Sequence, residues 1–505
     1  MKMSILTFFA RFFLKNREKS ISDFKANAKK DQKEILSALT QRGSNTLYGK
    51  EYDFSSIESY NDYSAKVPIV NYEDFFEKIK SVLNGDKNVI WPEEITWFAK
   101  SSGTTNDVSK FIPVSKESLD LNHLKAGRDL LSVYLKNNKK SKLFDGLALA
   151  LGGSKQITPY DDKKKIFTGD ISAILLKNLP FWASYLRTPS IDVALMPEWE
   201  KKIKTMAEIT SKQNITNLSG VPTWTIVLIK EVLKITGKKN ILEVWPNLEL
   251  FIHGAVSFLP YKSLFKDLIP SSHMNYQETY NASEGFFAFQ DDLNSNSMLL
   301  LTNHGVFYEF EDSKSKKTTD ISGVKLNRDY ALIISTFSGL WRYRIGDTIK
   351  FVSLNPYKIL ITGRTKHFIN AFGEELVIEN TDLALSRTCK KLSVSFYNYS
   401  AAPIFITGTK RGAHEWIIEF IEEPKNKEKF INLLDGELRK INSDYDAKRY
   451  KDIAIKQPKI HFVKTGFFDY WLKSKGKLGG QNKIPRLSND RKYLDSMLEH
   501  ISLFQ

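Results

Sequence analysis

Hydrophobic residues recur at helical spacing in three parts of the chain. Between residues 17 and 41 the periodic positions are Ile21, Phe24, Ala28, Ile35 and Leu39, which predicts a helix. A second helix is predicted over residues 116–136, after the start signal at Ser115. A third is predicted over Pro222–Ile235 because proline stands at its start and Gly237 just past its end.

Short apolar runs predict the strands of a buried sheet. Gly146–Gly153 is bounded by glycines and is typical of a buried strand. Further strand-like runs are Leu248–Ile252, Met298–Leu301, Val306–Phe310, Tyr330–Phe337, Ile349–Val352 and Ile359–Ile361. Strands mixed with long helices indicate an α/β fold with a largely buried sheet.

The pattern changes near Gly363-Arg364-Thr365-Lys366. Beyond it stand shorter elements, which are the strands Ser393–Tyr399, Pro403–Thr407 and Glu415–Ile421 and the helix Phe430–Ile441. We therefore predict a large α/β domain over residues 1–362 and a smaller α+β domain over residues 363–505. The smaller domain, at about 140 residues, has a normal domain size.

Composition narrows the classes of function. A hydrophobic content of 42% and an aromatic content of 12% in 505 residues describe a folded protein. The net charge of +16 suits nucleotides, nucleic acid or an anionic membrane, but the lysines are scattered in loops, which favours a solvated surface. The single cysteine, Cys389, excludes an internal disulfide and fits a reducing compartment. We expect Cys389 to lie in a helix of the smaller domain, with its side chain in the apolar core.

The start of the chain, residues 4–14, is apolar and superficially resembles a targeting segment. Arg11 interrupts the apolar run, and no small-residue cleavage site precedes Lys15 and Arg17. The run is also too short to cross a bilayer. We interpret it as an amphipathic first helix packed on the body of the protein, with peripheral membrane contact as the alternative.

The first cluster with chemical potential crowds hydroxyl groups around Gly103. It reads Ser101-Ser102-Gly103-Thr104-Thr105, follows an apolar run and precedes Lys110. Glycine lets backbone N–H groups converge into an anion-binding nest, and a lysine adds positive charge for a polyphosphate. The spacing is not that of a P-loop. Taken alone, an ordinary turn is the alternative.

Two further clusters follow. In Glu278–Gly285, hydroxyl groups could bind a phosphate, a tyrosine could stack on a base, and Glu284 offers Mg²⁺ a hard oxygen ligand. Its alternative is a polar loop before a buried strand. In Gly339–Asp347, the carboxylate of Asp347 follows a glycine at a strand edge, where it could accept hydrogen bonds from ribose. Its alternative is a β-turn, because Gly-Asp is a common turn pair.

In this order, the clusters resemble the three nucleotide-binding signatures of the Gretchen Hagen acyl acid–amido synthetases. That auxin-responsive promoter family of plants, with bacterial relatives, belongs to the adenylate-forming superfamily of acyl-CoA synthetases and luciferases. The family patterns S-S-G-T-[ST]-x-x-x-x-K-x-[IL]-P, Y-x-[AS]-S-E and Y-R-[VI]-G-D are matched by Ser101–Pro113, Tyr280–Glu284 and Tyr343–Asp347. Val306–Phe310 and Trp245–Leu248 also match, so the resemblance covers nearly the whole chain. It implies a bacterial-type member.

The resemblance implies a fold and a reaction. A large adenylation domain would bind ATP, Mg²⁺ and an acyl acid, and a mobile small domain would swing over the active site. The acid's carboxylate would attack the α-phosphorus of ATP, giving an acyl-adenylate and pyrophosphate. The amine of an amino acid would then take the acyl group and release AMP. The alternative is an acyl-CoA or other thioester-forming ligase that shares the first step.

The resemblance also assigns roles to residues. Those that would hold the β- and γ-phosphates are Ser101, Ser102, Gly103, Thr104 and Thr105, with Lys110 nearby. Those that would contact adenosine or the α-phosphate are Thr279, Tyr280 and Ser283. Glu284 would hold Mg²⁺ and serve catalysis, and Asp347 would bind the ribose.

Two more segments are placed by the resemblance. His253-Gly254-Ala255-Val256 takes the place of the superfamily's Gly-Ala segment along the adenine face, so Ala255 and Val256 would contact the nucleotide. His253 replaces a more usual small residue, and its role stays open. The resemblance also implies a hinge at Gly363-Arg364-Thr365-Lys366. Arg364 in this hinge would reach the ribose, with a solvated turn arginine as the alternative.

Several lysines compete to complete the adenylation site. Ser474-Lys475-Gly476-Lys477 echoes the Ser-Gly-Lys of acyl-CoA synthetases and would nominate Lys477. The pattern G-x-x-x-x-Q-x-K-x-P-R is closer to the family and is matched by Gly476, Gln481, Lys483, Pro485 and Arg486. We therefore predict that Lys483 is catalytic, because its ammonium group would offset charge between the carboxylate and the α-phosphate. The alternative is one more surface lysine.

The acyl pocket and the partners complete the expectations. Trp224 and Phe286 are candidate pocket residues, although aromatic side chains in such places more often belong to the core. Hydrolase and dehydrogenase motifs are absent from the sequence. We expect a cytoplasmic monomer that binds a small acyl acid and an amino acid, without nucleic acid or stable membrane insertion. A non-catalytic nucleotide or membrane-surface binder is the alternative from another class.

Overall fold

The computed structural model describes residues 5–504 except 106–107, 153–157, 162–164, 197, 257, 259–260, 365–367, 408–410, 453 and 476–483. The helices are α1 Ile5–Gly43, α2 Leu47–Glu51, α3 Tyr60–Lys66, α4 Tyr72–Leu83, α5 Lys116–Ser118, α6 Leu124–Asn137, α7 Ile171–Asn178, α8 Ile191–Ala194, α9 Trp199–Thr210, α10 Pro222–Thr236, α11 Lys262–Leu268, α12 Ile378–Leu392, α13 Lys427–Ile441, α14 Ser443–Arg449, α15 Phe467–Ser474 and α16 Lys492–Leu498.

The strands of the larger domain are β1 Trp97–Thr105, β2 Val108–Val114, β3 Leu147–Leu151, β4 Thr158–Asp161, β5 Ile166–Gly169, β6 Arg187–Thr188, β7 Ile215–Gly220, β8 Leu250–His253, β9 Asn275–Ala282, β10 Gly285–Phe289, β11 Met298–Leu300, β12 Val306–Asp312, β13 Thr318–Thr319, β14 Asp329–Thr336, β15 Tyr343–Leu354 and β16 Tyr357–Arg364. Those that follow are β17 Phe368–Ile369, β18 Leu376–Val377, β19 Ser395–Ile404, β20 Ala413–Glu422 and β21 Lys459–Lys464.

One mixed sheet dominates the larger domain. Within the described residues it has twelve strands in the order β13-β12-β14-β15-β16-β11-β10-β9-β8-β7-β3-β6. In this spatial order, the neighbouring strands between β9 and β6 at one end pair parallel. The neighbouring strands between β9 and β13 at the other end pair antiparallel. Strand β9 therefore joins a parallel half to an antiparallel half. In open α/β sheets, ligands bind where parallel strands end.

Local signals in the sequence fix the helix ends. The side chain of Ser115 accepts a hydrogen bond from the N–H of Ser118 and begins α5, which a π-helical turn connects to α6. Gly237 adopts φ 69° directly after α10, the left-handed conformation that ends helices. The helix predicted over residues 17–41 is part of the longer α1, whose backbone departs from helical geometry at Asn27.

Two predicted strands of the smaller domain proved to be one. Ser393–Tyr399 and Pro403–Thr407 were expected to be separate, yet β19 runs through Ser395–Ile404 and pairs with β20. Proline removes a backbone donor, which an edge strand tolerates. Strand β19 lies at the edge of the three-stranded sheet β19-β20-β21, so Pro403 continues it without loss of a ladder bond to β20.

The smaller domain packs on the parallel half of the large sheet. One apolar core includes Phe251 and Tyr261 from the larger domain and Phe372 and Trp416 from the smaller one. The Tyr261 hydroxyl donates to the Ala371 carbonyl at 2.5 Å. This contact holds the segment around Ala371 against the larger domain.

Cys389 lies buried on α12 within the same core. Burial raises the pKa of its thiol to about 11, so it remains a neutral thiol at physiological pH. The expected core role is confirmed.

The first turns of α1 contact the body through the face that carries Arg11 and Leu14. Arg11 donates to the carbonyls of Leu135 and Asn138, each at 2.9 Å, and Leu14 packs against a small apolar cluster. The outward face carries exposed phenylalanines. The expectation that this helix packs on the body is thus confirmed. The expectation that its apolar side packs there is wrong, because the phenylalanines are exposed. Among the described helices, none has the length and apolar composition needed to cross a membrane.

Candidate functional site

The first cluster lies on an arm of a β-hairpin. Strands β1 and β2 pair antiparallel with Ser101 opposite Lys110, and the register is irregular between Ser101 and Thr105. Irregular pairing around a glycine is typical of a bulge that bends a strand. The backbone of Ser101, Ser102, Gly103, Thr104 and Thr105 is extended in β1. Their side chains lie outside the described part of the chain.

The segment Val70–Tyr72 connects the first cluster to the third. The ammonium of Lys110 lies 5.3 Å from the centroid of the Tyr72 ring, and the Tyr72 hydroxyl accepts from the N–H of Phe111 at 2.8 Å. Burial raises the pKa of Tyr72 to about 12. Two residues earlier, the Val70 N–H donates to the Arg342 carbonyl at 3.1 Å. The hairpin and the third cluster therefore both contact the segment Val70–Tyr72, which fixes their relative position.

The second cluster forms the turn between β9 and β10. Ala282 pairs with Gly285, so Ser283 and Glu284 are the two turn residues, and both are half-buried. A Cβ atom on Gly285 would lie 2.8 Å from the Phe287 ring, which explains why glycine follows Glu284. The turn stands at the carboxyl end of β9, where the two halves of the sheet meet. The backbone agrees with the alternative of a polar loop before a buried strand, because the two turn residues are polar and β10 is buried throughout. The roles assigned to Ser283 and Glu284 stay predictions.

The second cluster contacts its neighbours through hydroxyl groups. Thr279 donates to the His253 carbonyl at 3.1 Å, across the parallel pair β8–β9. The Tyr280 hydroxyl donates to Oδ2 of Asp347 at 2.8 Å. All three side chains that make these bonds are buried. A tyrosine hydroxyl thus orients the carboxylate that the sequence assigned to ribose.

The third cluster is a bulge within β15. Thr348 lies opposite Ala331 and Arg344 opposite Ile333, so three residues of β15 stand against one of β14. Gly346 in this bulge adopts φ 96°, a conformation that favours glycine. The β-turn alternative is therefore wrong, because Gly346 and the residue after it belong to a strand.

Strand β16 places Arg364 beside the third cluster. Asp347 pairs with Arg364, the last residue of β16. The backbone of Arg364 belongs to a strand, so the alternative of an arginine in a turn is wrong. The side chain of Arg364 lies outside the described part of the chain.

A buried ion pair holds the start of the third cluster. Arg342 and Glu309 are 4% and 0% exposed, and their Nη2 and Oε1 atoms lie 2.7 Å apart. A second bond joins Nε to Oε2 at 2.9 Å, and Nη1 donates to the Val67 carbonyl at 2.6 Å. Sequence reasoning did not assign this pair. Its signal was present, because Arg342 precedes Tyr343–Asp347 and Glu309 lies in the matched run Val306–Phe310.

The segment assigned to adenine packs closely against β9. A Cβ atom on Gly254 would lie 2.6 Å from the Thr279 carbonyl oxygen, so only glycine fits. Ala255 follows with φ 68° and an exposed side chain, whereas Val256 is buried. The Ala255 carbonyl accepts from the Asn370 side chain at 3.0 Å. The smaller domain thus contacts the proposed adenine segment directly.

The question left open at His253 has a structural answer. The ring is 3% exposed and stacks on Phe258, with 4.1 Å between centroids. Burial lowers its pKa to about 3, so the imidazole is neutral. Its Nδ1 atom has no hydrogen-bond partner among the described residues. The neutral ring of His253 is thus part of a buried aromatic cluster. It contacts Phe251, and its stacking partner Phe258 contacts Tyr276.

Two titratable groups near the sheet edge were given no role in the sequence analysis. Lys202 on α9 is buried, donates to the Gly152 carbonyl at 3.0 Å, and has its pKa lowered to about 8 by burial. Burial also raises the pKa of Glu278, which pairs with His253 across β8–β9. Lys202 stands among other lysines in Lys201–Lys204, so its sequence context carried no signal.

The two acyl-pocket candidates differ in their surroundings. Phe286 is buried, and its N–H donates to the side chain of Asn122 at 2.6 Å, which confirms the core alternative. Trp224 is half-buried at the start of α10. The ammonium of Lys448, from the smaller domain, lies 4.3 Å from its ring centroid.

The predicted catalytic Lys483 and its rival Lys477 lie outside the described residues. The chain after Lys483 is held by the smaller domain. The Arg486 carbonyl accepts from the Ala401 N–H at 2.8 Å, and its guanidinium pairs with Asp382 at 2.8 Å. The lysine prediction therefore stays a prediction.

Three domain models of one family match consecutive parts of the chain. The GH3 family N-terminal domain matches residues 17–274, the central domain residues 299–364 and the C-terminal domain residues 379–492. The first of these alone covers more than half of the 505 residues. The chain belongs to the GH3 family. The family named by the resemblance is confirmed.

Curated relatives of this GH3 protein match it almost end to end. The 4-substituted benzoates-glutamate ligase GH3.12 of Arabidopsis thaliana is 23% identical over 94% of this chain and 96% of the relative. The probable indole-3-acetic acid-amido synthetase GH3.1 of the same plant is 21% identical over 93% and 90%. Both relatives are plant proteins, so the expectation of a bacterial-type member has no support from them.

Solved structures share the fold of this GH3 protein. AtGH3.15 acyl acid amido synthetase in complex with 2,4-DB superposes with a TM-score of 0.64 at 17% identity, covering 96% of both chains. A 2-hydroxyisobutyryl-CoA ligase in its thioesterification state superposes with a TM-score of 0.55 at 13% identity, covering 95% of this chain and 94% of that one. The predicted fold class, a large α/β domain followed by a smaller domain, is confirmed.

Proposed function

We propose that this GH3 protein is an ATP-dependent acyl acid–amido synthetase, which adenylates a carboxylic acid and transfers the acyl group to an amino acid. The observation that carries the proposal is the 2.8 Å hydrogen bond from Tyr280 to Asp347. It brings two of the family's three nucleotide signatures together at the edge where parallel strands end. Family membership and the relatives' names, which describe acid–amino acid ligation, support the reaction.

The nucleotide would lie across the end of the sheet. Asp347, oriented by Tyr280, would accept hydrogen bonds from the ribose hydroxyls, with Arg364 in the neighbouring register position. Ala255 and Val256 would line the adenine face, where Gly254 brings the backbone close to β9. Thr279 and Ser283 would contact adenosine or the α-phosphate. The residues that would hold the β- and γ-phosphates, with Lys110 nearby, are Ser101, Ser102, Gly103, Thr104 and Thr105.

The residues present fit a Mg²⁺ ion shared with the nucleotide. Among the described residues, His, Cys, Asp and Glu do not gather in threes that could hold a metal. Mg²⁺ commonly uses only one or two protein carboxylates together with substrate phosphates. Glu284, half-buried in a two-residue turn beside Ser283, supplies such a carboxylate at the sheet edge. When bound, the ion would neutralise phosphate charge and so permit the approach of an anionic acid.

The chemistry then needs two displacements. A carboxylate oxygen of the acid attacks the α-phosphorus, and the bond to the bridging oxygen of pyrophosphate breaks. The amine nitrogen next attacks the acyl carbon, AMP leaves with the carboxylate oxygen, and the nitrogen loses a proton to solvent. Lys483 would place its ammonium beside the developing negative charge in the first step. Here we propose that residues 363–505 move as a unit over residues 1–362, carrying Lys483 with them.

Three contacts across that proposed boundary would change during the movement. Asn370 donates to the Ala255 carbonyl, Tyr261 to the Ala371 carbonyl, and Thr223 to the Phe372 carbonyl at 3.2 Å. All three of these hydrogen bonds involve residues 370–372 of the smaller domain. We also propose that the protein is a cytoplasmic monomer that acts on small molecules and binds no nucleic acid.

The test is ATP–pyrophosphate exchange with a panel of acids, followed by mass analysis of the product with amino acids or coenzyme A. We expect acid-dependent exchange and an amide product. Asp347→Ala, measured in parallel at ATP concentrations below saturation, should lower the exchange rate about tenfold or more while keeping its circular dichroism spectrum. A thioester without an amide would favour the acyl-CoA ligase alternative. No exchange with any acid, together with salt-sensitive binding to nucleic acid or anionic vesicles, would favour a non-catalytic binder.

A further inference from the structure

The first turns of α1 expose four phenylalanine side chains. Phe8, Phe9, Phe12 and Phe13 are 56%, 52%, 63% and 70% exposed. Positions i, i+1, i+4 and i+5 lie on one arc of a helix, so the four rings share a side. We call this set the phenylalanine face. Exposed rings gathered on one helix side, in contrast to single exposed apolar residues, mark an interaction surface.

The body of the protein holds this face outward. On the opposite side of the helix, Arg11 donates to three carbonyls at 2.9 Å, those of Leu135, Asn138 and Lys139. Leu14 packs into an apolar cluster one turn later. Rotation of the helix to bury the phenylalanines would break all of these contacts. The outward direction is therefore built into the packing.

The GH3 fold and the nucleotide site leave this face unexplained. The GH3 family N-terminal domain begins to match at residue 17, after the last phenylalanine of the face. The clusters proposed for nucleotide binding lie on β1, β9 and β15. The phenylalanine face thus lies outside both the matched domain and the clusters proposed for the reaction.

The residues around the face are basic and give it a positive charge. Residues 1–17 contain Lys2, Arg11, Lys15 and Arg17 and no acidic residue. Lys15 and Lys19 are exposed further along the same side of α1. The loop that Arg11 holds carries the exposed Lys139 and Lys140. A second copy of the chain would bring two basic surfaces together, whereas an anionic bilayer complements both the aromatic rings and the lysines.

We propose that the phenylalanine face is a reversible docking site for an anionic lipid bilayer. The rings would enter the boundary between headgroups and acyl chains, and the lysines of α1 and of the loop at Lys139 would contact lipid phosphates. The helix lies on the surface in this arrangement. Binding neither needs nor tests the adenylation chemistry, because the face stands apart from the site residues.

The experiment is co-sedimentation of the full chain with vesicles of phosphatidylcholine alone or with about one-third phosphatidylserine. We expect binding to the anionic vesicles to be at least about tenfold stronger and to weaken as salt rises to about 0.5 M. Phe12→Ser/Phe13→Ser should lower the vesicle affinity at least about tenfold, because two of the four rings are lost. Lys139→Gln/Lys140→Gln should lower it about tenfold or more.

Matched controls separate the face from general apolarity and charge. Leu47→Ser replaces an apolar residue that is 62% exposed elsewhere, and Lys316→Gln/Lys317→Gln removes exposed charge from a distant loop. Both should keep wild-type vesicle binding, and all variants should keep their activity without vesicles. Wild-type binding by Phe12→Ser/Phe13→Ser, or equal binding to both vesicle types, would overturn the proposal. A concentration-dependent dimer that the same variant abolishes would assign the face to a second copy.

Discussion

At the residue scale, the hydrogen bond from Tyr280 to Asp347 lies in the proposed nucleotide site. Asp347→Ala should weaken ATP binding about tenfold to a hundredfold, because a charge-assisted hydrogen bond is worth roughly 1.5–3 kcal/mol. Calorimetric titration with ATP measures this change. Tyr280→Phe keeps the carboxylate and loses only the orienting hydroxyl, so its affinity should fall less. Equal affinity in wild type and Asp347→Ala would remove Asp347 from the nucleotide site.

Glu284 gives a second residue-scale prediction. Glu284→Gln keeps the shape of the side chain but removes the charge that a hard cation prefers. The Mg²⁺ concentration for half-maximal exchange should rise roughly tenfold. Glu278→Gln on the adjoining strand β9 is the matched control and should leave that concentration unchanged. The assignment fails if both variants show the Mg²⁺ dependence of the wild type.

Short motifs revealed these residues but not their contacts. Ser283, Glu284 and Asp347 stand in patterns of five residues that can be recognised in the sequence. The bond from Tyr280 to Asp347 spans 67 positions and depends on sheet pairing that no local pattern specifies. Lys202 is a further example, because only tertiary burial separates it from the neighbouring lysines.

At the element scale, the pair Arg342–Glu309 holds β15 to β12. Arg342→Met leaves the Glu309 carboxylate buried without its partner, which should lower the free energy of unfolding by about 3–5 kcal/mol. Urea unfolding measures the loss. Arg439→Met is the control, because the pair of Arg439 with Asp446 is exposed, at 38% and 46%, and should contribute at most about 1 kcal/mol. Similar losses in both variants would contradict the buried pairing.

Elements with local signals were predicted well, and their arrangement was not. Helix α10 has proline at its start and Gly237 directly after its end, so its limits follow from residues within and next to it. The sheet order does not, because β9 pairs parallel with β8 and antiparallel with β10. The exposed side of α1 was also missed, since an apolar run alone does not show which side meets the body.

At the scale of the whole molecule, buried histidines set an acid limit to stability. Burial lowers the pKa of His123 to about 4 and that of His253 to about 3, from 6.5. Their neutral forms are fully compatible with the fold above pH 6.5. Below it the unfolded chain binds protons that the folded chain does not, so stability falls with pH, by roughly 2 kcal/mol per histidine at about pH 5.

This pH dependence is measured as the free energy of unfolding in urea at about pH 7 and about pH 5. His123→Asn removes one titrating group, so the variant should lose less stability on acidification than the wild type. The same loss in both proteins would contradict the role of His123.

The proposed movement of the smaller domain would bring Lys483 to the nucleotide, so a variant of Lys483 tests it. Lys483→Ala should slow adenylation about a hundredfold or more, because an ammonium would no longer offset the transition-state charge. ATP affinity should stay nearly constant, and transfer from a preformed acyl-adenylate should suffer less. Pre-steady-state measurement of pyrophosphate release gives the rate. If Lys477→Ala abolishes adenylation and Lys483→Ala does not, the lysine assignment is wrong and the acyl-CoA ligase alternative gains support.

The central claim is that this GH3 protein activates an acid through its carboxylate as an acyl-adenylate. An acid that supports exchange, labelled with ¹⁸O in both carboxylate oxygens, tests it directly when one turnover with an amino acid is analysed by mass spectrometry. The account predicts that one labelled oxygen passes to AMP and the other remains in the amide carbonyl. Label in inorganic phosphate, with ADP as the other product, or unlabelled AMP beside a labelled amide, would contradict it.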